Sequence, residues 1–448
     1  MKPFSEKEKG IIVRPLDDRF YYAFNFNNPS GIKILSHRAA KRLIAITEEG
    51  DSYDKNNKID SSIIKSGLFH KTNTASDKMT HLSVWLHVTN SCNLSCYYCY
   101  IPNLRKTADS DTIHNLSMKL NDAKTISHRL ISYCEEREIK NLHVKFAGGE
   151  PTLDITLIRE FCREISKQPK KVNVSYGMIT NGVFNANQVI PILKEFDITL
   201  SVSIDGYKST HDDIRFHVIN KRKNGTWDLI WANIENLLSV GIMPYLLYTI
   251  TPSNINDIHK FSDLAHKLNL GYRLSLERSK KLYEPEIKKK VVTKLTELYC
   301  ELGRNMNYEL PISRYARFSE WNLKKKKNLA CSAGRNYIAI SQRGYVSSCQ
   351  MGMNNKYGNI MTDGLELPMV MMKKNGYTSI IAKPILRNGI CNSCEYYYVC
   401  SGGCPEHTVN TFGTIDTLSP WCTVFGSLIP VYMESIARQM LRKIRSKK

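Results

Sequence analysis

The chain has 448 residues, of which 42% are hydrophobic and 23% are charged. This composition is typical of a globular protein of two to four domains, and it excludes wholesale disorder. The excess of 63 Lys and Arg over 42 Asp and Glu gives a net charge of +21, which favours acidic partners in general: nucleic acid, an anionic membrane or an acidic protein.

The sequence contains neither a predicted membrane helix nor a secretory signal. No apolar run approaches the eighteen or so residues that a membrane helix needs, and the N-terminus lacks the apolar segment of a signal peptide. We therefore expect a cytoplasmic protein without a membrane partner, in which the 13 cysteines stay reduced. Most of them cluster in two regions, and this clustering indicates metal ligation rather than disulfides.

Residues 1–80 predict a small α+β module. Residues 19–26 read as a strand, and an Asn-Pro-Ser-Gly turn follows them. Ser36 is the expected N-cap of a helix whose apolar residues recur at helical spacing. A short apolar segment over residues 63–69 follows, and the polar residues 71–80 predict a linker.

From residue 82 to about residue 307 the pattern changes to alternating strands and helices. One clear helix is predicted over 119–135. The predicted strands are 82–89, 142–147, 172–179, 198–204, 243–251 and 272–277. Six strands with intervening helices indicate an α/β fold with a parallel sheet, either open or curled into a partial barrel. Beyond residue 310 the periodicity weakens and seven cysteines take over, which indicates a region held together by metal.

The first cysteine cluster follows the first strand of this sheet and reads Cys92, Cys96 and Cys99. Three thiolates around a four-iron cluster leave one iron open, and an open position on a metal site indicates chemistry rather than structure. The alternative is a zinc knuckle that His87 or His114 completes. With Tyr98 before the third cysteine, the CxxxCxxC segment resembles the radical S-adenosylmethionine superfamily.

The resemblance covers residues 82–280 and implies a partial (β/α)6 barrel of the TIM type. It implies that the Gly-Gly-Glu-Pro segment after the second strand holds the amino group of S-adenosylmethionine, and that the Glu carboxylate accepts from that ammonium. Ser203 and Asp205 resemble ribose-contacting positions, and Arg215 resembles the residue that binds the methionyl carboxylate. The implied cofactor-binding residues are Tyr98, Gly148, Gly149, Glu150, Pro151, Asn181, Ser203, Asp205 and Arg215.

The second cysteine cluster resembles the SPASM domain, whose seven cysteine positions and intervening glycine are all matched here. The resemblance implies two auxiliary [4Fe-4S] clusters and therefore three in total. One takes Cys391, Cys394, Cys400 and Cys422, and the other takes Cys331, Cys349 and Cys404. Some family members supply an eighth cysteine, which is missing here, so the latter cluster keeps an open iron or uses another ligand. The alternative is a pair of zinc sites that His407 completes.

Three cysteines remain outside both clusters. Cys134 and Cys162 lie at helical spacing with apolar residues, and we expect both to be buried core residues. Cys300 fits such a stripe less well and has no assigned role.

The resemblance implies an enzyme that cleaves S-adenosylmethionine reductively. The resulting 5′-deoxyadenosyl radical abstracts a hydrogen from the substrate. Residues 1–80 resemble, more loosely, the winged-helix element by which ribosomal peptide maturases bind a precursor's leader as an added strand; the alternative is a generic cap on the barrel. The implied domains are residues 1–80, 81–309 and 310–448.

The expected product is an oxidative cross-link (carbon–carbon, thioether or ether) in a ribosomally made precursor peptide. The basic charge then suits an acidic flavodoxin- or ferredoxin-like electron donor, and no nucleic acid is needed. The first alternative is a sulfatase-maturase-like enzyme that makes formylglycine. A more distant one is a zinc-containing nucleic-acid-binding protein.

Overall fold

The fold is described from a computed structural model. It covers residues 10–27, 29–54, 56–69, 79–99, 101, 105–106, 116–168, 171–219, 222–278, 280–304, 314–318, 320–324, 331–375, 391 and 394–446. Most of the predicted linker, His114 and the proposed boundary near residue 310 lie outside the described residues.

The N-terminal module is a three-stranded antiparallel sheet with two helices. Its strands, in sheet order, are β1 (Ile11–Pro15), β2 (Phe20–Asn25) and β3 (Lys33–Ser36). Its helices are α1 (His37–Thr47) and α2 (Lys58–Lys65). Ser36 caps α1 by accepting from the backbone N–H of Ala39, so the predicted strand, N-cap and first helix are confirmed.

The module has a small core of its own, but it also packs against the rest of the chain. Residues of β1, β2, α1 and α2 bury Ile11, Ala23, Leu43 and Ile63 against one another. On the other side, Tyr22, Phe24 and Phe26 belong to the main hydrophobic core. The module is therefore tied to the body of the protein by burial of apolar surface.

The central sheet contains the six predicted strands in the predicted order. They are β4 (His81–Thr89), β7 (Asn141–Gly148), β8 (Asn173–Thr180), β9 (Thr199–Ser203), β12 (Tyr245–Ile250) and β13 (Tyr272–Leu276). All neighbours among these six pair in parallel. Short strands extend both edges, in the order β14-β13-β12-β9-β8-β7-β4-β15-β16.

The remaining strands are short. These are β5 (Ser91–Cys92), β6 (Arg105–Lys106), β10 (Phe216–Ile219), β11 (Arg222–Gly225), β14 (Arg317–Phe318), β15 (Tyr337–Ile340) and β16 (Val346–Ser347). The hairpin of β15 and β16 comes from the cysteine-rich region and joins the sheet alongside β4. That region is therefore continuous with the central sheet.

Helices cover one face of the sheet and follow the strands along the chain. Those between the strands are α3 (Leu120–Glu136), α4 (Ile155–Lys167), α5 (Ala186–Glu195), α6 (Lys208–Ile214), α7 (Trp227–Ser239) and α8 (Ile258–Lys267). The later ones are α9 (Pro285–Arg304), α10 (Ile360–Asp363), α11 (Glu366–Lys374), α12 (Tyr397–Cys400), α13 (Pro405–Phe412) and α14 (Cys422–Arg445).

Alternate strand residues form the core with these helices. On β4, Leu82, Val84, Leu86 and Val88 are buried in the main core, so the residues between them face the other side of the sheet. Cys134 and Cys162 are fully buried on α3 and α4, as predicted. Among the described residues, no helix combines the length and the apolar character that crossing a membrane requires.

Candidate active site

The predicted site segments meet where the parallel strands end. The loop that carries the first cysteines leaves β4 and is tied to the end of β7 by two backbone hydrogen bonds. Thr89 accepts from the N–H of Gly149 at 2.8 Å, and Ser91 accepts from the N–H of Glu150 at 2.8 Å. Two of the predicted segments are thus held side by side by the backbone alone.

Gly148 allows this close approach. Its φ of +141° is one that residues with a side chain rarely adopt. A Cβ on this residue would lie 2.4 Å from the carbonyl oxygen of Thr89. The sequence suggested that this glycine admits a ligand, but its near neighbour is the backbone of β4, so its first role is to pack two strand ends together.

Glu150 is the buried centre of the strand ends. Its side chain is wholly inaccessible to solvent. Oε1 accepts from the backbone N–H of Thr152 at 3.1 Å and from the hydroxyls of Thr152 and Thr180, both at 2.7 Å. Oε2 accepts from the N–H of Asn181 at 2.6 Å. Burial raises the pKa of this carboxyl, and these hydrogen bonds oppose the rise.

The expected contact between this carboxylate and the ammonium of S-adenosylmethionine stays a prediction. Four protein donors already satisfy the Glu150 side chain, which ties β7 to β8. Pro151 begins a short 3₁₀ helix directly after it. The role of Thr180 was missed, because its only sequence signal is its place before Asn181.

Asn181 links the end of β8 to the cysteine loop. Its Nδ2 donates to Oδ1 of Asn93 at 2.7 Å and lies 3.8 Å from Sγ of Cys92. Its Oδ1 accepts from the N–H of Val183 at 2.9 Å. Its Nδ2 group therefore orients the cysteine loop and one of its thiols, whereas its Oδ1 holds its own turn.

The three thiols of the loop lie near one another. Burial raises the pKa of Cys92, and the charges of Cys96 and Cys99 add to the rise. Burial likewise raises the pKa of Cys96. Donors are aimed at the sulfurs, since the N–H of Leu94 lies 3.4 Å from Sγ of Cys92 and Nη1 of Arg215 lies 3.7 Å from Sγ of Cys96.

Arg215 belongs to a buried polar group with Asp205 and Tyr98. Its Nε donates to Oδ2 of Asp205 at 2.5 Å, and its Nη2 donates to the Tyr98 hydroxyl at 2.5 Å. The same hydroxyl donates to Asp205, whose Oδ1 accepts from the N–H of Thr249 at 2.6 Å. The structure thus brings three predicted cofactor residues together beside Cys96. Ser203 is buried nearby, at the end of β9.

These residues fit a thiolate-bound cluster better than a single metal ion. Among the described residues, no three His, Cys, Asp or Glu side chains are placed to hold one ion. A four-iron cluster keeps its thiolates farther apart than one ion does, because each thiolate binds a different iron. Metal binding also deprotonates thiols whose pKa burial has raised, and the aimed N–H donors suit the thiolate form.

Electrostatic interactions connect five of the C-terminal cysteines in two sets. Burial raises the pKa of Cys400 to about 12, and the charges of Cys422 and Cys394 contribute. Burial also raises the pKa of Cys349 to about 12, with contributions from Glu406 and Cys404. Cys391 and Cys394 share a turn, and the N–H of Ala333 lies 3.4 Å from Sγ of Cys331.

Two further polar residues lie near these cysteines, directly after Pro405. Glu406, two residues after Cys404, is buried and acts on Cys349; nothing in its sequence context marked it. His407, the alternative zinc ligand, is hydrogen-bonded through Nε2 to the hydroxyl of Tyr283. Burial lowers the pKa of His407 to about 4.

The chain is similar in sequence to one known protein family and to several characterised proteins. Residues 86–265 match the radical SAM superfamily. A cysteine-type anaerobic sulfatase-maturating enzyme from Clostridium novyi (strain NT) is 31% identical over 179 residues, which are 39% of this chain and 45% of that protein. The chain thus matches less than half of that relative. The radical SAM cyclopropyl synthase TigE from Paramaledivibacter caminithermalis is 22% identical over 353 residues, or 74% of this chain and 70% of that protein.

Two solved structures share the fold. Native anSMEcpe with bound AdoMet superposes with a TM-score of 0.63 at 16% identity, over 82% of this chain and 100% of that one. SuiB from Streptococcus suis, bound to precursor peptide SuiA, superposes with a TM-score of 0.54 at 16% identity, over 93% of this chain and 98% of that one.

Glu150→Gln tests the central hydrogen bonds. The amide directs N–H groups toward donors, so at least one buried donor loses its acceptor, at a cost of about 1–3 kcal/mol. We expect a lower thermal midpoint and faster amide exchange in the cysteine loop by mass spectrometry. Glu160→Gln, which only weakens a surface pair with Arg163, is the control. Equal midpoints for the two variants would contradict the role assigned to Glu150.

Proposed function

We propose that this protein, whose residues 86–265 form a radical SAM domain, is a peptide maturase that installs an oxidative cross-link in a ribosomally made precursor. The observation that carries the proposal is the convergence of the cysteine loop with the ends of β7, β8 and β9. Each of these segments contributes a residue that the family resemblance assigns to S-adenosylmethionine.

The residues of the site have distinct parts in this proposal. Cys92, Cys96 and Cys99 would hold the cluster, which when bound supplies the electron that cleaves S-adenosylmethionine to the hydrogen-abstracting 5′-deoxyadenosyl radical. Arg215 uses three of its five N–H donors on Asp205, Tyr98 and Cys96, which leaves two for the methionyl carboxylate. Since the Glu150 carboxylate is engaged, backbone groups of its segment are the candidates for the amino group.

The C-terminal cysteines would hold two auxiliary clusters. The partition proposed from the resemblance is supported by the electrostatic grouping of Cys394, Cys400 and Cys422, and of Cys349 with Cys404. These clusters would accept the electron that remains after oxidative bond formation or anchor the substrate. We assign residues 310–448 to this auxiliary domain, residues 81–309 to a partial barrel and residues 1–80 to a leader-binding module.

A precursor peptide is the proposed substrate. The fold shared with SuiB, which is solved with a precursor peptide, supports this choice, as does the similarity to TigE over 74% of the chain. The proposed electron donor is an acidic flavodoxin- or ferredoxin-like protein, whose encounter with the net charge of +21 would be favourable.

The leader would add as a strand to the N-terminal sheet. Backbone pairing of Gly10 with Phe26 and of Leu16 with Phe20 directs the N–H of Val13 away from β2. Pairing of Arg19 with His37 likewise directs the N–H of Ile34 outward on β3. Because β1 already carries a proline at an outward position, Pro15, we assign the leader to β3.

A sulfatase-maturase-like enzyme that makes formylglycine is the second candidate. The 31% identity to the Clostridium novyi enzyme favours it over part of the radical SAM domain. The 80 residues before the cluster region and the missing eighth cysteine favour the cross-linking function instead. The zinc-containing nucleic-acid-binding alternative has no support in these relatives.

Cys96→Ala is predicted to abolish reductive cleavage of S-adenosylmethionine, because the variant lacks one of three cluster thiolates. The measurement is formation of 5′-deoxyadenosine by the reduced protein under anaerobic conditions. Cys134→Ala, which removes a buried core thiol on α3, is the control and should retain cleavage. Cleavage by Cys96→Ala would refute the cluster assignment.

Metal analysis tests the auxiliary clusters. Anaerobically reconstituted protein should contain about twelve iron atoms per chain, as three four-iron clusters require. Cys400→Ala should lower this by about four, whereas Cys162→Ala should leave it unchanged. A wild-type content of about four would refute the auxiliary pair, and zinc in place of iron would refute all three clusters.

Ile34→Pro tests the leader assignment. Proline removes an outward N–H from the edge strand without breaking a hydrogen bond to β2. We expect weaker binding of a leader-bearing precursor by fluorescence anisotropy, with cleavage of S-adenosylmethionine retained. Val13→Pro makes the same change on β1 and should leave binding intact. If only Val13→Pro weakens binding, the leader lies on the other edge; if neither does, strand addition is wrong.

A further inference from the structure

Two basic side chains lie on the sheet face that is turned away from the helices. Lys145 pairs with Trp85 across β4 and β7, and the register carries this face through Gly177 and Thr199. Arg273 pairs with Leu247, which in turn pairs with Ser203. Since paired residues in parallel strands point the same way, Trp85, Lys145 and Arg273 share the inner face.

The two cations interact although they lie on separate strands of the sheet. Three strands separate β7 from β13, so on a flat sheet the two residues would be about 19 Å apart. Yet burial lowers the pKa of Lys145 and the positive charge of Arg273 adds to that shift. The two charges therefore act on each other across the concave side of the sheet.

Several buried donors on this side lack a partner in the described structure. They are Nε of Arg273, Nε1 of Trp85 and the one N–H of the neutral His87 ring, neither of whose nitrogens has a partner. The backbone of Gly148 lies beside the His87 ring but forms no hydrogen bond with either ring nitrogen. A buried donor without an acceptor is unfavourable, so these groups favour binding of an acceptor from outside the chain.

No acidic residue of the six strands can provide that acceptor, because none of the six contains Asp or Glu. The nearest carboxylate in sequence is Glu277, directly after β13, and its Oε2 accepts from the Tyr97 hydroxyl at 3.2 Å. The concave side thus combines two cations and several unused donors with no strand carboxylate.

The cavity at the carboxyl end of β4 is likewise lined by basic side chains and by no carboxylate. Its volume is about 620 Å³, and it is lined by His87 together with Arg343 and Lys356. No Asp or Glu is among the residues that line it. A negatively charged segment would therefore meet basic groups both in this cavity and at the Lys145–Arg273 pair.

We propose that Lys145 and Arg273 bind a carboxylate of the peptide substrate inside the curled sheet. This inference rests on the proposed peptide maturase function and adds a substrate class to it. The carboxylate is that of an Asp or Glu side chain or of the peptide's C-terminus, since both present the same two oxygens to a guanidinium and an ammonium.

The test is a ligand-observed NMR titration of the reconstituted protein with saturating S-adenosylmethionine, so that the cofactor's own carboxylate is excluded as the occupant. Three probes are compared: the α-amide of N-acetyl-glutamate, which has only a side-chain carboxylate; N-acetyl-glutamine, which has only a terminal one; and its uncharged α-amide. We expect one charged probe to bind at least about tenfold more tightly than the uncharged one, and that probe identifies the source.

Variants localise the effect. Lys145→Met and Arg273→Met should each abolish the preference for the charged probe, whereas Lys140→Met, which removes an exposed lysine just before β7, should retain it. The proposal is overturned if the wild type binds all three probes equally. It is also overturned if both Lys145→Met and Arg273→Met retain the preference for the charged probe. The wild-type comparison decides even if a variant does not fold. Because the assay needs no turnover, failure of peptide maturation would be a separate result.

Discussion

The hydrogen bonds of Glu150 are the constraint on which the rest of the site depends. A buried carboxylate is costly unless donors satisfy it, and this one collects them from its own turn, from the end of β8 and from the start of the next loop. Its backbone N–H is bonded to Ser91. One residue therefore sets the relative positions of two strand ends, those of β7 and β8, and of the loop that carries Cys92.

This arrangement separates positioning from chemistry. The side chains of Glu150 and Asn181 are hydrogen-bonded within the protein, and the absence of a side chain at Gly148 lets two strand ends approach each other. Arg215, by contrast, has N–H donors left over. N–H groups are aimed at the sulfurs of Cys92 and Cys96, which favours the thiolate form that an iron cluster requires. Charge is divided in a similar way, because the six strands contain two cations, Lys145 and Arg273, but no carboxylate.

Much of this was predictable from the sequence, and the exceptions have physical reasons. The six central strands were found because a parallel sheet covered by helices needs long β-rich runs, and Cys134 and Cys162 because helical spacing reveals a buried face. The edge strand β3 was missed because a four-residue edge strand has no such pattern. The hydrogen bonds of Glu150 could not be predicted because its partners come from separate segments. Lys145 and Arg273 were missed because their shared face depends on the register of five strands, which no local pattern reveals.

The central claim is that the strand-end site modifies a peptide by hydrogen abstraction and oxidation. The most direct measurement is mass spectrometry of a short peptide encoded beside this protein's gene, after co-expression with it. We predict that the peptide loses the mass of two hydrogen atoms, stays resistant to hydroxylamine, and yields a linked pair of residues on fragmentation. An unmodified peptide would contradict the claim, and a product that reacts with hydroxylamine would identify a formylglycine-generating enzyme instead.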